Sequence, residues 1–492
     1  MSRNRLAAHE PSTRLSPAAG ISRRRLLELS GLGFGSLVIE CLLEGERVRA
    51  ETHAASERAR GPLAPRAGHF SGRAKAVIML MQNGGPSQME LFDPKPQLDK
   101  FAGQVHETKV EMFQKGSESN KLLGCPFKFV RRGQCGMELS EVIPHLGSVA
   151  DDLCLVRSMH TEHNNHTEAL VMMNTGKIFP GRPAFGSWIS YALGTENQNL
   201  PAYIVLRDPA GYNTSGTLLW QNGWFPALYR GTEVSTQGTP VLNLNPAVEL
   251  PDSVQRDNLD YLARMNELHR QKHPGESELE ARIRNYELAA RMQLAAAETL
   301  DLAQETAATQ QLYGLDNPTT APYGLRCLMA RRLVEEGVRF VQIFPPTGQP
   351  WDAHGNVKTE NEAICAKTDL PSAALIKDLK NRGLLDSTIV LWTGEFGRLP
   401  VSQNGSGRDH NRNAFSLLLA GGGFKAGNVH GATDEVGYRA AVDRVSVPDL
   451  HATILHQLGL DHNRLTYHHH GRDETLTDAP VSGARVVEEL TA

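Results

Sequence analysis

The chain of 492 residues lacks an excess of basic side chains. Lys and Arg together number 51 and Asp and Glu 55, so the formal net charge is −4. Nucleic-acid-binding proteins carry a basic footprint, and this balance argues against such a partner. A Cys-x-x-Cys pair, which would indicate a metal or redox site, is also missing. Among the six cysteines, Cys125 and Cys135 are near enough in sequence for a disulfide in an oxidising compartment.

Long apolar runs are scarce as well. Residues 29–43 form an apolar run that contains Glu40 and is too short to predict a membrane span. It follows the motif SRRRLL at residues 22–27, which resembles a twin-arginine export signal. We therefore predict a signal region at residues 1–50, a linker at residues 51–73, and a periplasmic or extracellular protein without a stable membrane span after signal removal. The alternative is a basic, disordered amino terminus beside a short buried helix.

Glycine and proline are abundant, with 45 and 27 residues, and they predict many loops between short elements. Apolar runs typical of central parallel strands lie at residues 76–81, 153–156, 201–206, 338–344, 387–393 and 414–423. The last two strands before residue 400 are separated by a helical pattern at residues 359–383, which is the order of a parallel crossover. We predict a three-layer α/β/α fold over residues 74–490, with a mostly parallel central sheet and a helical-hairpin insertion at residues 251–315.

Acidic and histidine side chains follow several of these strands. The motif WDAHGN at residues 351–356 follows one strand, and GEFGR at 394–398 and GRDHN at 407–411 follow the next. Ligand-holding loops of parallel sheets lie beyond the carboxyl ends of the strands. Carboxylate and imidazole donors gathered there suit Zn²⁺ or Mn²⁺, or Ca²⁺ if the imidazoles stand off. The predicted metal ligands are Asp352, His354, Glu395, Asp409 and His410, with Glu90 or Asp93 from the loop after the first strand.

Histidines also precede a predicted helix at residues 168–173. His160, His163 and His166 lie within seven positions, where the free N–H groups of a helix start form a natural anion site. They could instead cap and line a loop, because imidazoles often serve ordinary hydrogen-bonding roles. The triplet at residues 468–470 is predicted to lie in a solvated loop, since no carboxylate cluster stands near it in sequence.

Several blocks of the sequence resemble one known group. Residues 384–397 are similar to the segment of alkaline phosphatases and sulfatases in which a strand ends in Ser-Asp-His-Gly, and DLHATILHQLG at 449–459 resembles their carboxyl-terminal helix. The set Gly-Gly-Pro-Ser, Trp-Asp-x-His-Gly, Gly-Glu-Phe-Gly-Arg and Gly-Arg-Asp-His looks like the exported family DUF1501. The resemblance covers about residues 76–490 and implies an alkaline phosphatase-like fold and hydrolysis of phosphate or sulfate esters.

The chain departs from that pattern at two positions. Glu395-Phe396 stands where the relatives have Asp-His, so the missing imidazole would have to come from His410. Counting back from Thr175-Gly176, the sulfatase nucleophile position holds His166 rather than Cys or Ser, which argues against formylglycine chemistry. His166, Thr167 or a metal-bound hydroxide could attack, or His166 could be a ligand.

The predicted activity is metal-assisted in-line displacement, with two divalent ions clamping the ester oxygens of a small-molecule or polysaccharide substrate. Arg398 or Arg408 would bind the tetrahedral anion, because a guanidinium binds oxyanions bidentately. Alternatively, Asp352 caps a turn and Arg398 pairs with Glu395 in an ordinary salt bridge. The second hypothesis for the whole protein is an exported metal- or ligand-binding protein that keeps the fold without turnover.

Overall fold

The computed structural model describes residues 62–238, 240–241, 251–273 and 277–492. The predicted signal region, residues 1–50, lies outside the described residues, so export remains a prediction. Of the predicted linker, residues 62–73 are described and form no helix or strand. They bond to the domain, as where the N–H of Phe70 donates to the carbonyl of Gly459 at 3.1 Å. No described helix is both long and apolar enough to cross a membrane.

Nine described strands form the central sheet. Numbered along the chain, they are β1 Ala76–Met81, β2 Leu153–His160, β3 Tyr203–Leu206, β4 Thr232–Glu233, β5 Phe340–Ile343, β6 Thr388–Thr393, β7 Phe415–Ala420, β8 Asn428–His430 and β9 Val445–Ser446. Their order across the sheet is β8-β2-β7-β6-β1-β5-β3-β4, and β9 pairs with β2. Only β7 runs antiparallel to its described neighbours, β2 and β6, so the sheet is mostly parallel, as predicted.

Helices cover both faces of the sheet. In chain order they are α1 Gln88–Leu91, α2 Pro96–Lys100, α3 Pro144–Gly147, α4 His166–Thr175, α5 Phe185–Leu193, α6 Asp252–Lys272, α7 Ser277–Leu300, α8 Ala307–Leu312, α9 Ala321–Glu335, α10 Val357–Asn381, α11 Val447–Gln457 and α12 Ala479–Ser482. Side chains alternate along β1: Ile78 and Leu80 pack with residues of α9 and α10, and Val77 and Met79 with residues of α4, α5 and α11. The predicted three-layer α/β/α fold is confirmed.

Helices α6 and α7 lie within residues 251–315, and the interpretation of that segment as an insertion stays a prediction. The disulfide that the sequence suggested is not formed, because Cys125 and Cys135 are free thiols.

Helix α4 ends at Gly176, which has a φ of 77° and lies where an added Cβ would be 2.3 Å from the carbonyl oxygen of Leu476. A residue with a side chain would therefore be both strained and crowded there.

The sheet topology brings four loops to one edge. Strands β1, β2, β5 and β6 are mutually parallel, so their carboxyl ends point the same way. The segments that follow them carry Asn83, His166, Asp352 and Glu395 in turn. The candidate site lies at this edge.

Candidate metal centre

Asp352 lies at the centre of a polar cluster at the carboxyl edge of the sheet. It belongs to the loop between β5 and α10, which also carries His354. His410 comes from a two-residue antiparallel pairing of His410–Asn411 with Gly397–Arg398, after β6. Two segments far apart in sequence therefore supply neighbouring side chains.

Three acceptor atoms converge on one point in this cluster. Asp352 Oδ1 is 2.9 Å from His354 Nε2 and 3.2 Å from His410 Nε2, and the two Nε2 atoms are 3.0 Å apart. We call these three atoms the acceptor triangle. Donors bonded tetrahedrally to one Zn²⁺ at about 2.0–2.2 Å stand about 3.3–3.6 Å apart, so the triangle is a few tenths of an ångström tighter than an occupied site.

The hydrogen bonds on the far side of each imidazole show which nitrogen carries the proton. His410 Nδ1 lies 2.7 Å from the carbonyl oxygen of Asn164, which can only accept. His354 Nδ1 bonds to Gln403 Oε1, and that amide is oriented because its Nε2 donates to the carbonyl of Lys115 at 2.9 Å. Both Nδ1 atoms are therefore donors, and in the neutral rings both Nε2 lone pairs face the triangle.

A carboxylate oxygen and two imidazole lone pairs repel one another unless a cation or donors lie among them. Two donors reach the triangle: Arg398 Nη2 bonds to Asp352 Oδ1, and Gln114 Nε2 is 3.3 Å from His354 Nε2. Imidazoles whose Nδ1–H groups bond to carbonyl oxygens are the usual arrangement around a protein-bound metal. The residues present therefore fit a divalent ion.

His166 occupies the other side of the Asp352 carboxylate. As the first residue of α4, it places Nδ1 2.6 Å from Glu395 Oε1 and Nε2 3.3 Å from Asp352 Oδ2. The N–H of Gly84 donates to both oxygens of Glu395, at 2.9 and 3.2 Å. The ring of Phe396 lies 4.8 Å from the His166 ring. His166 is thus buried, with Nδ1 bonded to Glu395, whereas Nε2 lies near Asp352 without a hydrogen-bond partner among the described residues.

The pKa values follow from burial and charge. Burial opposes ionisation of Asp352, but the interaction with His166 and the charge of Arg398 outweigh it and hold the pKa of this carboxyl well below its usual range. Burial, with the charges of Arg398 and His166, lowers the pKa of His410 to about 3 although Asp352 opposes the shift. For His166, burial lowers the pKa, but Asp352 and Glu395 outweigh it and the net shift is upward. His410 is therefore neutral, and His166 retains its second proton more readily than an ordinary histidine does.

Asp409 links the cluster to a covering segment. Its Oδ2 accepts the backbone N–H groups of Phe113 and Gln114 at 2.7 and 2.8 Å, and its Oδ1 accepts the N–H of His410 at 2.8 Å. Ligand atoms of His354, Asp409 and His410 lie within 4.8 Å of one another, as do those of His166, Asp352 and His410. The ring of Phe113 stacks on His410 at 4.8 Å.

Arg398 and Arg408, the predicted anion clamps, are fully buried and bonded inside the protein. Arg398 pairs with Asp352, not with Glu395, and its Nε and Nη1 donate to the carbonyls of Gly85 and Arg408. The Nε, Nη1 and Nη2 atoms of Arg408 all donate, two of them to Glu90 and Nη1 to two backbone carbonyls. These guanidinium groups hold the site together.

The structure does not bring Glu90 and Asp93 to the acceptor triangle. Glu90 forms a fully buried ion pair with Arg408 at 2.7 Å. Asp93 accepts from Thr433 Oγ1 and lies 3.1 Å from Lys95 Nζ. Thr167, the other predicted nucleophile, is exposed beside His166 on the first turn of α4.

The other histidines that the sequence analysis named lie away from the acceptor triangle. His163 Nδ1 accepts the N–H of Asn165 at 3.1 Å, and half-buried His160 ends strand β2. His468 bonds to Asp473 at 2.9 Å across an exposed hairpin.

Sequence reasoning missed three polar side chains. Asn83, which follows β1, is fully buried, and both atoms of its amide lack a hydrogen-bond partner among the described residues. Gln403 orients His354, and Gln114 contacts the same ring from the covering segment. The position of Asn83 at a strand end was a usable signal, whereas nothing in the sequence marks Gln403 or Gln114.

Comparison with known proteins identifies the family. A family model described as "Protein of unknown function (DUF1501)" matches residues 74–491. The chain belongs to this family. The predicted membership is confirmed, and no curated protein matches the chain in sequence.

Solved structures with a similar fold include hydrolases, at low identity. A phosphonate monoester hydrolase from Silicibacter pomeroyi has a TM-score of 0.33 and 10% identity, covering 84% of this chain and 78% of its own. The PsFucS1 sulfatase from Pseudoalteromonas sp. has a TM-score of 0.34 and 13% identity, covering 85% and 72%. A protein in the alkaline phosphatase superfamily from Vibrio parahaemolyticus has a TM-score of 0.31 and 10% identity, covering 81% and 70%.

Proposed function

We propose that the protein is an exported, metal-dependent hydrolase of phosphate or sulfate esters. Asp352, His354 and His410 would hold one divalent ion, with Asp409 close enough to contribute. Mixed carboxylate and imidazole donors favour Zn²⁺ or Mn²⁺. The observation that carries this proposal is the acceptor triangle, in which the proton-free nitrogens of two imidazoles face one carboxylate oxygen.

A bound ion would supply a positive centre that polarises an ester oxygen and stabilises charge developing in the displacement. The chain's own groups set the surroundings of that centre. Arg398 donates a hydrogen bond to the Asp352 carboxylate, and Gln403 accepts one from the His354 ring. Asp352 and His354 have side chains 18% and 23% exposed, whereas His410 is fully buried. A substrate would therefore approach from the side of Asp352 and His354.

The environment of His166 favours a positioning role over nucleophilic attack. A nucleophile needs a free lone pair directed at the substrate. Nδ1 of His166 bonds to Glu395, and Nε2, which has no hydrogen-bond partner in the part of the chain that the structure describes, is buried 3.3 Å from Asp352 Oδ2. We propose that His166 aligns Asp352 by pairing with its second oxygen. Thr167 is exposed and is kept as the alternative nucleophile.

Metal analysis of the purified protein, followed by assays with 4-nitrophenyl phosphate and 4-nitrophenyl sulfate, tests the proposal. We expect about one equivalent of zinc or manganese and hydrolysis of at least one ester. His354→Ala and His410→Ala should each lose the metal and the activity. His468→Ala is the matched control, because this histidine also pairs with an aspartate but on an exposed hairpin. A wild-type protein with no affinity for divalent ions would refute the proposal.

One observation favours a second candidate, a metal-binding protein without turnover. The two arginines that sequence analysis assigned to the substrate anion are buried and bonded to protein groups. Charge neutralisation of the substrate would then depend on the ion alone. A protein that binds the metal but hydrolyses neither ester would support this candidate.

A further inference from the structure

Helix α6, Asp252–Lys272, carries an exposed apolar stripe that the proposed hydrolase site does not use. Val254, Tyr261, Leu262, Met265 and Leu268 are between 41% and 64% exposed. Large apolar side chains grouped on one surface of a soluble protein usually mark an interaction site. The other face of the helix is turned toward the domain, since Leu259 and Asn266 are half-buried.

The spacing of the stripe is that of a coiled-coil seam. Val254, Asn258, Tyr261, Met265 and Leu268 follow one another at intervals of four, three, four and three residues. This alternation keeps the side chains on one face along about 21 Å of helix, at 1.5 Å per residue. Asn258, which is exposed, takes one position of the seam, and a polar residue at such a position favours one register of pairing.

The charges beside the seam indicate what covers it. The first half of the helix carries Asp252, Asp257 and Asp260 with Arg256 and is net acidic. The second half carries Arg264, Arg270 and Lys272 with Glu267 and is net basic. A parallel pair of such helices would align the acidic halves with each other. An antiparallel pair places each acidic half against a basic half, so the helix is complementary to a second copy of itself.

We propose that α6 is the dimerisation surface of this protein, packing antiparallel on α6 of a second copy about a twofold axis. Heptad positions allow registers that differ by seven residues, and the pairing of Asp257 with Arg264 selects one of them. Asn258 lies opposite Tyr261 of the second copy, and Val254 opposite its Met265. Asp257 and Arg264 occupy the same flanking heptad position, seven residues apart, so Asp257 of each copy lies beside Arg264 of the other. The twofold axis repeats this ion pair, which makes one substitution act twice.

The interface is small. Five apolar side chains on each copy bury less than the roughly 800 Å² per partner of a standard interface, so we expect a dissociation constant of about 1–100 µM. The exposed ion pairs between Asp257 and Arg264 determine the register of the two helices more than they increase the affinity, because solvent and salt screen them. The dimer should therefore be visible at tens of micromolar protein and dissociate on dilution.

Sedimentation velocity of the full-length, metal-loaded protein over a concentration series tests this inference. We expect a monomer–dimer equilibrium that Tyr261→Lys combined with Met265→Lys weakens by about tenfold or more. Phe179→Ser is the control, since it removes an exposed aromatic side chain outside α6 and should leave the equilibrium unchanged. The substituted side chains are exposed, so circular dichroism should show an intact fold.

A charge exchange tests the register. Asp257→Arg and Arg264→Asp should each weaken the dimer at low salt, because each puts like charges together twice. The double variant Asp257→Arg with Arg264→Asp restores opposite charges and should recover the wild-type equilibrium. A protein that stays monomeric at 100 µM would overturn the inference. So would a dimer that ignores the seam substitutions, or one that the double exchange fails to restore.

Discussion

Replacing Gln403 tests whether His354 is held as a metal ligand. Gln403 is buried, its Oε1 accepts the Nδ1–H of His354, and its Nε2 is committed to the Lys115 carbonyl. Gln403→Leu keeps the size of the side chain but removes the acceptor, so the imidazole can carry its proton on Nε2 and point it into the acceptor triangle. Loss of such an orienting partner costs about 10- to 100-fold in metal affinity, or about 1.4–2.7 kcal/mol.

Gln403→Glu is the matched variant, because a carboxylate still accepts from Nδ1–H and loses only the bond to Lys115. We expect its metal affinity to equal or exceed that of the wild type, although the folded protein is less stable. Competition with a chromophoric chelator measures both affinities. If the Leu and Glu variants bind zinc as tightly as each other, His354 is not being oriented for a metal and the reasoning fails.

Two further predictions concern buried carboxylates. Glu90→Gln leaves Arg408 charged and without its carboxylate partner in the interior. The free energy of unfolding should therefore fall by about 3–5 kcal/mol in denaturant titrations, while metal affinity stays unchanged. Loss of the metal in this variant would indicate that Glu90 is a ligand. Burial raises the pKa of Asp369 from 3.8 to about 6 although the N–H groups of His145 and Leu146 oppose the shift. A carboxyl with a raised folded pKa stabilises the fold at low pH and loses that contribution as pH rises through 6. The stability of the wild type relative to Asp369→Asn should therefore fall by about 2 kcal/mol between pH 4 and pH 7, and a difference that is flat with pH would contradict this.

The sequence predicted which loops form the site, because the topology of a parallel sheet determines where those loops lie. Continuous apolar runs identified β1, β5 and β6, and parallel strands bring the loops at their carboxyl ends to one edge. Asp352, His354 and His410 meet for that reason, although 56 residues separate the two histidines. His410 reaches Asp352 and His354, and its role as the substitute for the imidazole that Phe396 replaces stays a prediction.

What the sequence could not predict was the direction of individual side chains. Glu90 is close to the end of β1 in sequence, but it lies on the short helix α1, Gln88–Leu91, which directs it to Arg408. Arg398 and Arg408 were assigned to a substrate because guanidinium groups bind oxyanions. Their partners are instead backbone carbonyls from loops whose approach only the folded chain determines. The role of Gln403 was not predicted, because a single amide side chain in a loop matches no sequence motif.

The distribution of protons around Asp352 bears on how many ions the site holds. On the Oδ1 side, the Nδ1–H group of each imidazole donates to an oxygen atom outside the triangle. The lone pairs on the two Nε2 atoms therefore remain for a cation. On the Oδ2 side, His166 lies between two carboxylates and can satisfy both only as a donor. A second ion there would have to displace a proton that Glu395 and Asp352 both stabilise. We therefore expect one equivalent of metal per chain rather than the two ions of the activity predicted from the sequence. Glu395→Gln weakens the hold on that proton and should leave the first equivalent in place, and a wild type that binds two equivalents with equal affinity would show that His166 is a ligand after all.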